Sequence, residues 1–115
     1  MKLAHSPDGI ANPELRSFLE DLLSQTVFHD RVAAGVPAGV RVDHKIGTLP
    51  NVINDVAMVY APGRNFVIAV FSSDVNDDVA PDVMAQVTRQ VYSFEIAQGP
   101  AGSAAAKASV PAPAG

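Results

Sequence analysis

Residues 40–72 contain three strand-like segments joined by connections too short for anything but antiparallel pairing, and this constrains the fold more than any other feature of the chain. The segments are 40–47, 53–60 and 65–72. Leu49-Pro50-Asn51 separates the first two, and Ala61-Pro62-Gly63-Arg64, with its strong Pro-Gly turn signal, separates the last two. A parallel crossover needs a dozen residues or more, so the expected unit is a three-stranded meander. Its last strand, Phe66-Val67-Ile68-Ala69-Val70-Phe71, does not alternate apolar with polar residues, which predicts that both of its faces are covered.

A helix is expected on each side of the meander. Over residues 12–28, Leu15, Phe18, Leu19, Leu22 and Leu23 recur at helical spacing. Asn12 is placed to cap that helix, and Pro13 occupies the first helical position, where its missing N–H is harmless. His29-Asp30-Arg31 reads as the end of the same helix, where a basic group suits the dipole. Residues 33–39, rich in Gly, Pro and small side chains, read as a loop towards the sheet. After the acidic stretch Asp74-Val75-Asn76-Asp77-Asp78, a second helix is expected over about 79–97, with Val83, Val87, Val91 and Phe94 as its apolar stripe and Pro81 confined to its first turn. Met58, Met84 and the phenylalanines are expected in the core. The fold class is therefore α+β: helix, three-stranded antiparallel meander, C-terminal helix. Both helices lying on one face, or one on each face, are equally compatible with the pattern; the first would leave an apolar sheet face open to a partner or to self-association.

The 115 residues suffice for one core, since roughly two thirds of the unfolded surface of such a chain can be buried. Residues 1–11 read as a flexible start and 98–115, dominated by Ala, Gly, Pro and Ser, as a disordered tail. A net charge of -4 with only eight scattered Lys and Arg argues against a nucleic-acid surface. The longest apolar run, 66–71, is far short of a membrane span of ~20 residues. The N-terminal residues lack the apolar segment of an export signal, which would make a chain translated from Met1 cytoplasmic. There is no cysteine, and His5, His29 and His44 lack metal-ligand spacing, so neither a metal nor a cofactor is expected.

The chemistry-bearing residues cluster at Asp43-His44-Lys45-Ile46-Gly47-Thr48. Taken with Leu22-Leu23-x-Gln25, Arg31-x-x-x-Gly35-Val36-Pro37-x-Gly39, Asn54-Asp55, Tyr60-x-Pro62-Gly63 and the apolar strand from Phe66, they give the chain a pattern that resembles the C-terminal part of a class A-type serine β-lactamase or penicillin-binding protein. The order and spacing across residues 12–97 carry the resemblance, not the Lys-x-Gly-Thr step alone. It implies an antiparallel sheet with terminal helices that packs on a helical domain, an acyl-serine mechanism, and a β-lactam or D-Ala-D-Ala-type substrate, with the roles in antibiotic resistance and β-lactam catabolism that follow. By the resemblance, Lys45, Gly47 and Thr48 bind the substrate: Lys45 holds its carboxylate, Gly47 lets its backbone approach, and Thr48 donates a hydroxyl hydrogen bond. The plainer readings are a solvated edge-strand lysine, a bend, and a good strand residue.

Two departures from the family pattern stand out. Ile46 replaces the usual Thr and removes a hydroxyl. No Ser-x-x-Lys or Ser-x-Asn occurs, so no residue qualifies as the nucleophile. Ser103 and Lys107 have the wrong spacing, and Ser73-Asp74-Val75-Asn76 has an inserted valine and lies at a helix entry. A triad from Asp43, His44 and Ser72 or Ser73 fails because neighbouring strand residues point to opposite faces. Asn54 and Asp55 read as structural. The expectation is a β-lactamase-related chain that is inactive by itself, a truncated chain or non-catalytic remnant; the alternative is a binding fragment that needs a partner chain to supply the nucleophile.

Overall fold

The computed structural model describes residues 12–100, so the segments expected to be flexible at the start and disordered beyond 100 lie outside the described residues. Helix α1 spans Pro13–Ser24, a 3-10 turn Val32–Gly35, strands β1, β2 and β3 Arg41–Leu49, Val52–Ala61 and Arg64–Ser73, and helix α2 Ala80–Ala97. The sheet is an antiparallel meander in the order β1-β2-β3, as its connections demand. Both turns are tighter than expected, with only Pro50-Asn51 and Pro62-Gly63 left unpaired, so each strand is longer than its apolar pattern suggested. Asn51 and Gly63 have φ of 60° and 71°, and Pro followed by positive φ is the sequence of a type II turn. The first turn is also tied to the α2 approach: Asn51 N donates to Asp77 Oδ1 (2.9 Å), and Val75 N donates to the Asn51 carbonyl (3.2 Å).

At the start of α1, Asn12 Oδ1 accepts from the backbone N of Glu14 and Leu15, which satisfies two orphan donors of the first turn. The helix ends at Ser24, four residues before the expected 28. The reason lies just beyond, where the Thr26 hydroxyl donates to the His44 carbonyl (2.7 Å) and draws the chain onto β1. Arg31 therefore does not end a helix. It is buried in the sheet's surroundings, seven residues past α1.

The core lies on one sheet face. Strand β2 alternates strictly, burying Ile53, Asp55, Ala57, Val59 and Ala61. Val32, Val42 and Ile68 complete one cluster around Ala57 and Val59; Met84 and Ala80 complete another around Ile53. The 3-10 turn and α2 cover this face, while α1 packs on β1. The other face of β3 is open: Val67 and Phe71 are exposed, contrary to the expectation of cover on both sides, because none of the described residues packs over it.

Helix α2 also turns a different side inward than its stripe suggested. Ala80, Met84, Ala85 and Thr88 are buried, whereas Val83, Val87 and Phe94 are exposed. Close packing explains the choice. A Cβ placed on Gly35 would stand 2.4 Å from the Ala85 carbonyl oxygen and 2.5 Å from Thr88 Cβ, so the turn touches the helix backbone and only small residues fit between them. Of the five phenylalanines only Phe66 packs against the core; Phe18, Phe28, Phe71 and Phe94 are all more than half exposed. Gly35→Ala should accordingly destabilise the chain by about 2–3 kcal/mol, the upper range for overpacking, read as a lower urea midpoint at unchanged slope.

Candidate functional site on strand β1

Strand alternation sets the geometry of the cationic strand. Asp43, Lys45 and Gly47 project to the outer face, and His44, Ile46 and Thr48 to the core face. The structure thus brings Lys45 and Gly47 together, with Thr48 directed to the opposite side. Lys45 is exposed and its Nζ donates to the Ile46 carbonyl (2.7 Å). Among the described residues no carboxylate pairs with it. Gly47 pairs in regular register with Asn54, without a bulge and without positive φ, and a Cβ there would meet only ordinary contacts at 3.7 Å or beyond. The chain's own packing therefore does not require glycine at this position.

Behind the strand lies a buried cation that the sequence reading misplaced. Arg31 is 5% exposed, and its guanidinium donates from Nη1 to the carbonyls of Asn54 (2.8 Å) and Gly47 (3.3 Å) and from Nη2 to Thr48 Oγ1 (2.6 Å). A planar fork suits three oxygens spread over two strands in a way an ammonium would not. Because Thr48 Oγ1 accepts from Arg31, its own proton is directed to another acceptor. The one signal that could have placed Arg31 was its spacing to Gly35-Val36-Pro37, since helix logic put it at a terminus.

Beside it is a second buried polar pair. His44, 1% exposed, donates from Nδ1 to the Asp55 carboxylate at 3.1 and 3.2 Å, and Asp55 Oδ2 also accepts from Val32 N (3.2 Å). His44 Nε2 has no partner among the described residues. The pair has the form of a base with its orienting acid, but no serine hydroxyl joins it. Ser72 Oγ instead donates to the Ile53 carbonyl (2.5 Å), and Ser72 N to Asn54 Oδ1 (3.0 Å). Asn54 and Asp55 are structural, as expected, and the triad rejected on the sequence does not assemble.

Asp43 serves a third cluster. Fully buried, it accepts from Arg41 Nε (2.7 Å), Arg41 Nη2 (3.1 Å) and the Tyr60 hydroxyl (3.0 Å), while the Arg41 guanidinium lies 5.1 Å over the Tyr60 ring and also reaches the Glu20 carbonyl of α1. Burial, then the bond to Asp43, pushes the Tyr60 phenol well above its ordinary range; the bond to Asp43 raises Arg41 as well. Asp43, the carboxylate on the same face of β1 as Lys45, is thus committed to internal partners. No group of three metal-ligating side chains occurs among the described residues, and no helix there is long and apolar enough to cross a membrane.

An antiparallel meander with a C-terminal helix packed on its core face, and a Lys-x-Gly-Thr strand at its edge, is a partial class A β-lactamase-like fold. The family model described as the β-lactamase enzyme family matches residues 5–94, and the chain belongs to that family. Among solved structures it is similar to PBP-A, with 27% identity and a TM-score of 0.72 over 82% of this chain and 36% of that one. A PBP-A variant has also been solved as an acyl-enzyme complex with penicillin G. The class A β-lactamase of the last common ancestor of Gram-negative bacteria is 33% identical, with a TM-score of 0.66 over 72% of this chain and 34% of that one. The class A β-lactamase from Mycobacterium abscessus is 28% identical, with a TM-score of 0.70 over 81% and 37%. The chain spans about a third of the length of these structures. No curated protein matches it.

The Asp43 cluster yields a pH prediction. A phenol whose folded pKa lies above its unfolded value of about 10 contributes stability that is complete below pH 10 and lost as pH rises further. Tyr60→Phe should cost about 1–2 kcal/mol at pH 7 through the lost bond to a carboxylate, and its urea midpoint should fall less steeply above pH 10 than that of the unsubstituted chain.

Proposed function

We propose that these residues form the substrate-carboxylate wall of a serine β-lactamase-like acyl-transfer site, and that the 115-residue chain does not turn over a β-lactam by itself. The observation that carries this reading is the placement, on one face, of a Lys45 that pairs with no carboxylate and a Gly47 that packing does not require, both among the described residues. A cation facing outward beside a position kept free of Cβ suits a flat, anionic ligand laid along the strand edge. Thr48 projects from the other face of the strand, where its hydroxyl accepts from Arg31, so in this reading it contributes only to a ligand that reaches around the strand edge. The substrate class is a β-lactam or a D-Ala-D-Ala-type peptide, by analogy with the penicillin acyl-enzyme of the similar PBP-A.

The reaction divides between two sets of residues. Serine attack on the strained amide, formation of the acyl-enzyme and its hydrolysis need a nucleophile activated by an adjacent base, and the sequence holds no Ser-x-x-Lys. Lys45 fixes the carboxylate, and so the ring, at the distance the nucleophile needs. Ile46 stands where the family usually has Thr, so one hydroxyl contact is missing, a loss of ~1–3 kcal/mol or roughly one to two powers of ten in rate.

A chromogenic β-lactam incubated with the chain should show no turnover, and intact-mass analysis should show no covalent adduct; a serine-linked adduct overturns the reading. A chimera in which residues 12–97 replace the matching third of a class A relative supplies the positive arm. It should acylate, lose about 10- to 100-fold in acylation rate with Lys45→Ala, and gain by a similar factor with Ile46→Thr. Equal rates with and without Lys45→Ala would remove Lys45 from the site.

A further inference from the structure

The stretch from Lys45 to Thr48 is held at both ends by one buried carboxylate. Asp55 stands opposite Ile46 in the β1–β2 register, midway between Lys45 and Gly47, and is fully buried. On one side it binds the residue directly before Lys45. His44, diagonal to it across the ladder, donates from Nδ1 to both of its oxygens, at 3.1 and 3.2 Å. His44 Nε2 has no partner among the described residues, so among them Asp55 alone orients the ring by hydrogen bonding. On the other side Val32 N donates to Asp55 Oδ2 (3.2 Å), and that N–H belongs to the peptide that leaves Arg31. Arg31 in turn donates to the Gly47 carbonyl, to Thr48 Oγ1, and to the carbonyl of Asn54, which precedes Asp55. The contacts close a ring: from Asp55 to His44, along β1 to Gly47 and Thr48, across to Arg31, and through the Arg31–Val32 peptide back to Asp55.

We propose that Asp55 is the positioning residue of the carboxylate wall: without touching substrate, it sets where β1 presents the Lys45 ammonium and the open surface at Gly47. This role rests on the acyl-transfer reading of the site. Burying a carboxylate costs more than burying an apolar side chain of its size unless its oxygens are bonded, so its presence points to what those bonds hold. Both lead to the wall, one through His44 and the other through Arg31. The His44–Asp55 pair has no hydroxyl proton to move, since Ser72 Oγ is committed to the Ile53 carbonyl. A carboxylate is also the group the position needs, because it accepts from both directions at once. An amide there would keep one acceptor oxygen and turn its own N–H donors towards His44 Nδ1 or Val32 N. At position 44, by contrast, Asn would keep a donor close to where Nδ1 stands.

The test has a spectroscopic arm on the full 115-residue chain and a kinetic arm on the chimera described above. Long-range proton–nitrogen correlation spectra at neutral pH should show a proton on His44 Nδ1; a bare Nδ1 would open the ring at its first contact and overturn the proposal. In the chimera the readout is the ratio of acylation rates for a penicillin and its methyl ester, which differ in the carboxylate that the wall binds. Asp55→Asn should lower this ratio about tenfold, as Lys45→Ala does, and the double variant should fall no further, because the first residue acts through the second. Both rates falling in proportion, with the ratio unchanged, would mean a purely structural role and overturn the proposal, as would additive losses in the double variant. If Asp55→Asn fails to fold, position 44 decides: His44→Asn should keep the ratio and His44→Ala should lower it, and equal ratios would overturn the proposal. A ratio sensitive to Lys45→Ala but not to Asp55→Asn removes the positioning role alone. A ratio that ignores Lys45→Ala removes the wall reading, and the positioning role with it.

Discussion

The fold depends on how two consecutive residues at the entry to the 3-10 turn, Arg31 and Val32, are held against the sheet. The Arg31 guanidinium reaches oxygens on both β1 and β2, and the next residue, Val32, donates its backbone N–H to the buried Asp55 carboxylate. Removing Arg31 would leave two carbonyls and the Thr48 hydroxyl without their donor, and removing Asp55 would leave the Val32 N–H and His44 Nδ1 without an acceptor; buried polar groups left unpaired in this way are costly. Because Gly35 then meets the backbone of α2, the same anchors fix where the C-terminal helix lies. Sheet, turn and helix are thus one construction held by a few polar contacts, with a modest apolar core around Ala57 and Val59.

The sequence made legible what local chemistry determines. The Pro-containing turns specified the meander, and Asn12 and Pro13 specified the start of α1; Pro81 did the same for α2. What it obscured was the use of each face. Leu15, Phe18, Leu19, Leu22 and Leu23 form a sound amphipathic stripe, as do Val83, Val87, Val91 and Phe94, yet only Leu19, Leu23 and Val91 are even half-buried and the rest are exposed. Periodicity records that a surface is apolar and not what covers it; the face of α2 that does pack inward is made of small residues because a glycine sits against it. The continuous apolar run in β3 misled in the same way.

The site was legible in part. Lys45 and Gly47 could be placed from their motif, because alternation along a strand is a rigid rule. The groups behind them could not, since Arg31, Asp43 and Asp55 are charged residues in the interior, and charge in a sequence reads as surface. Their burial becomes intelligible only with their partners in place: Arg31 on backbone oxygens, Asp55 between His44 and Val32, Asp43 between Arg41 and Tyr60. The pairing of Asp43 with Arg41 and Tyr60 leaves the ammonium of Lys45, on the same face of β1, without a carboxylate partner among the described residues and bonded only to the Ile46 carbonyl.

The two-residue turns have a mechanical consequence. With only Pro50-Asn51 and Pro62-Gly63 between strands, and the first turn moored to Asp77, the meander has no slack in which to absorb a tilt of one strand relative to the next. Its three strands behave as one stiff plate about 10 Å across from first to last.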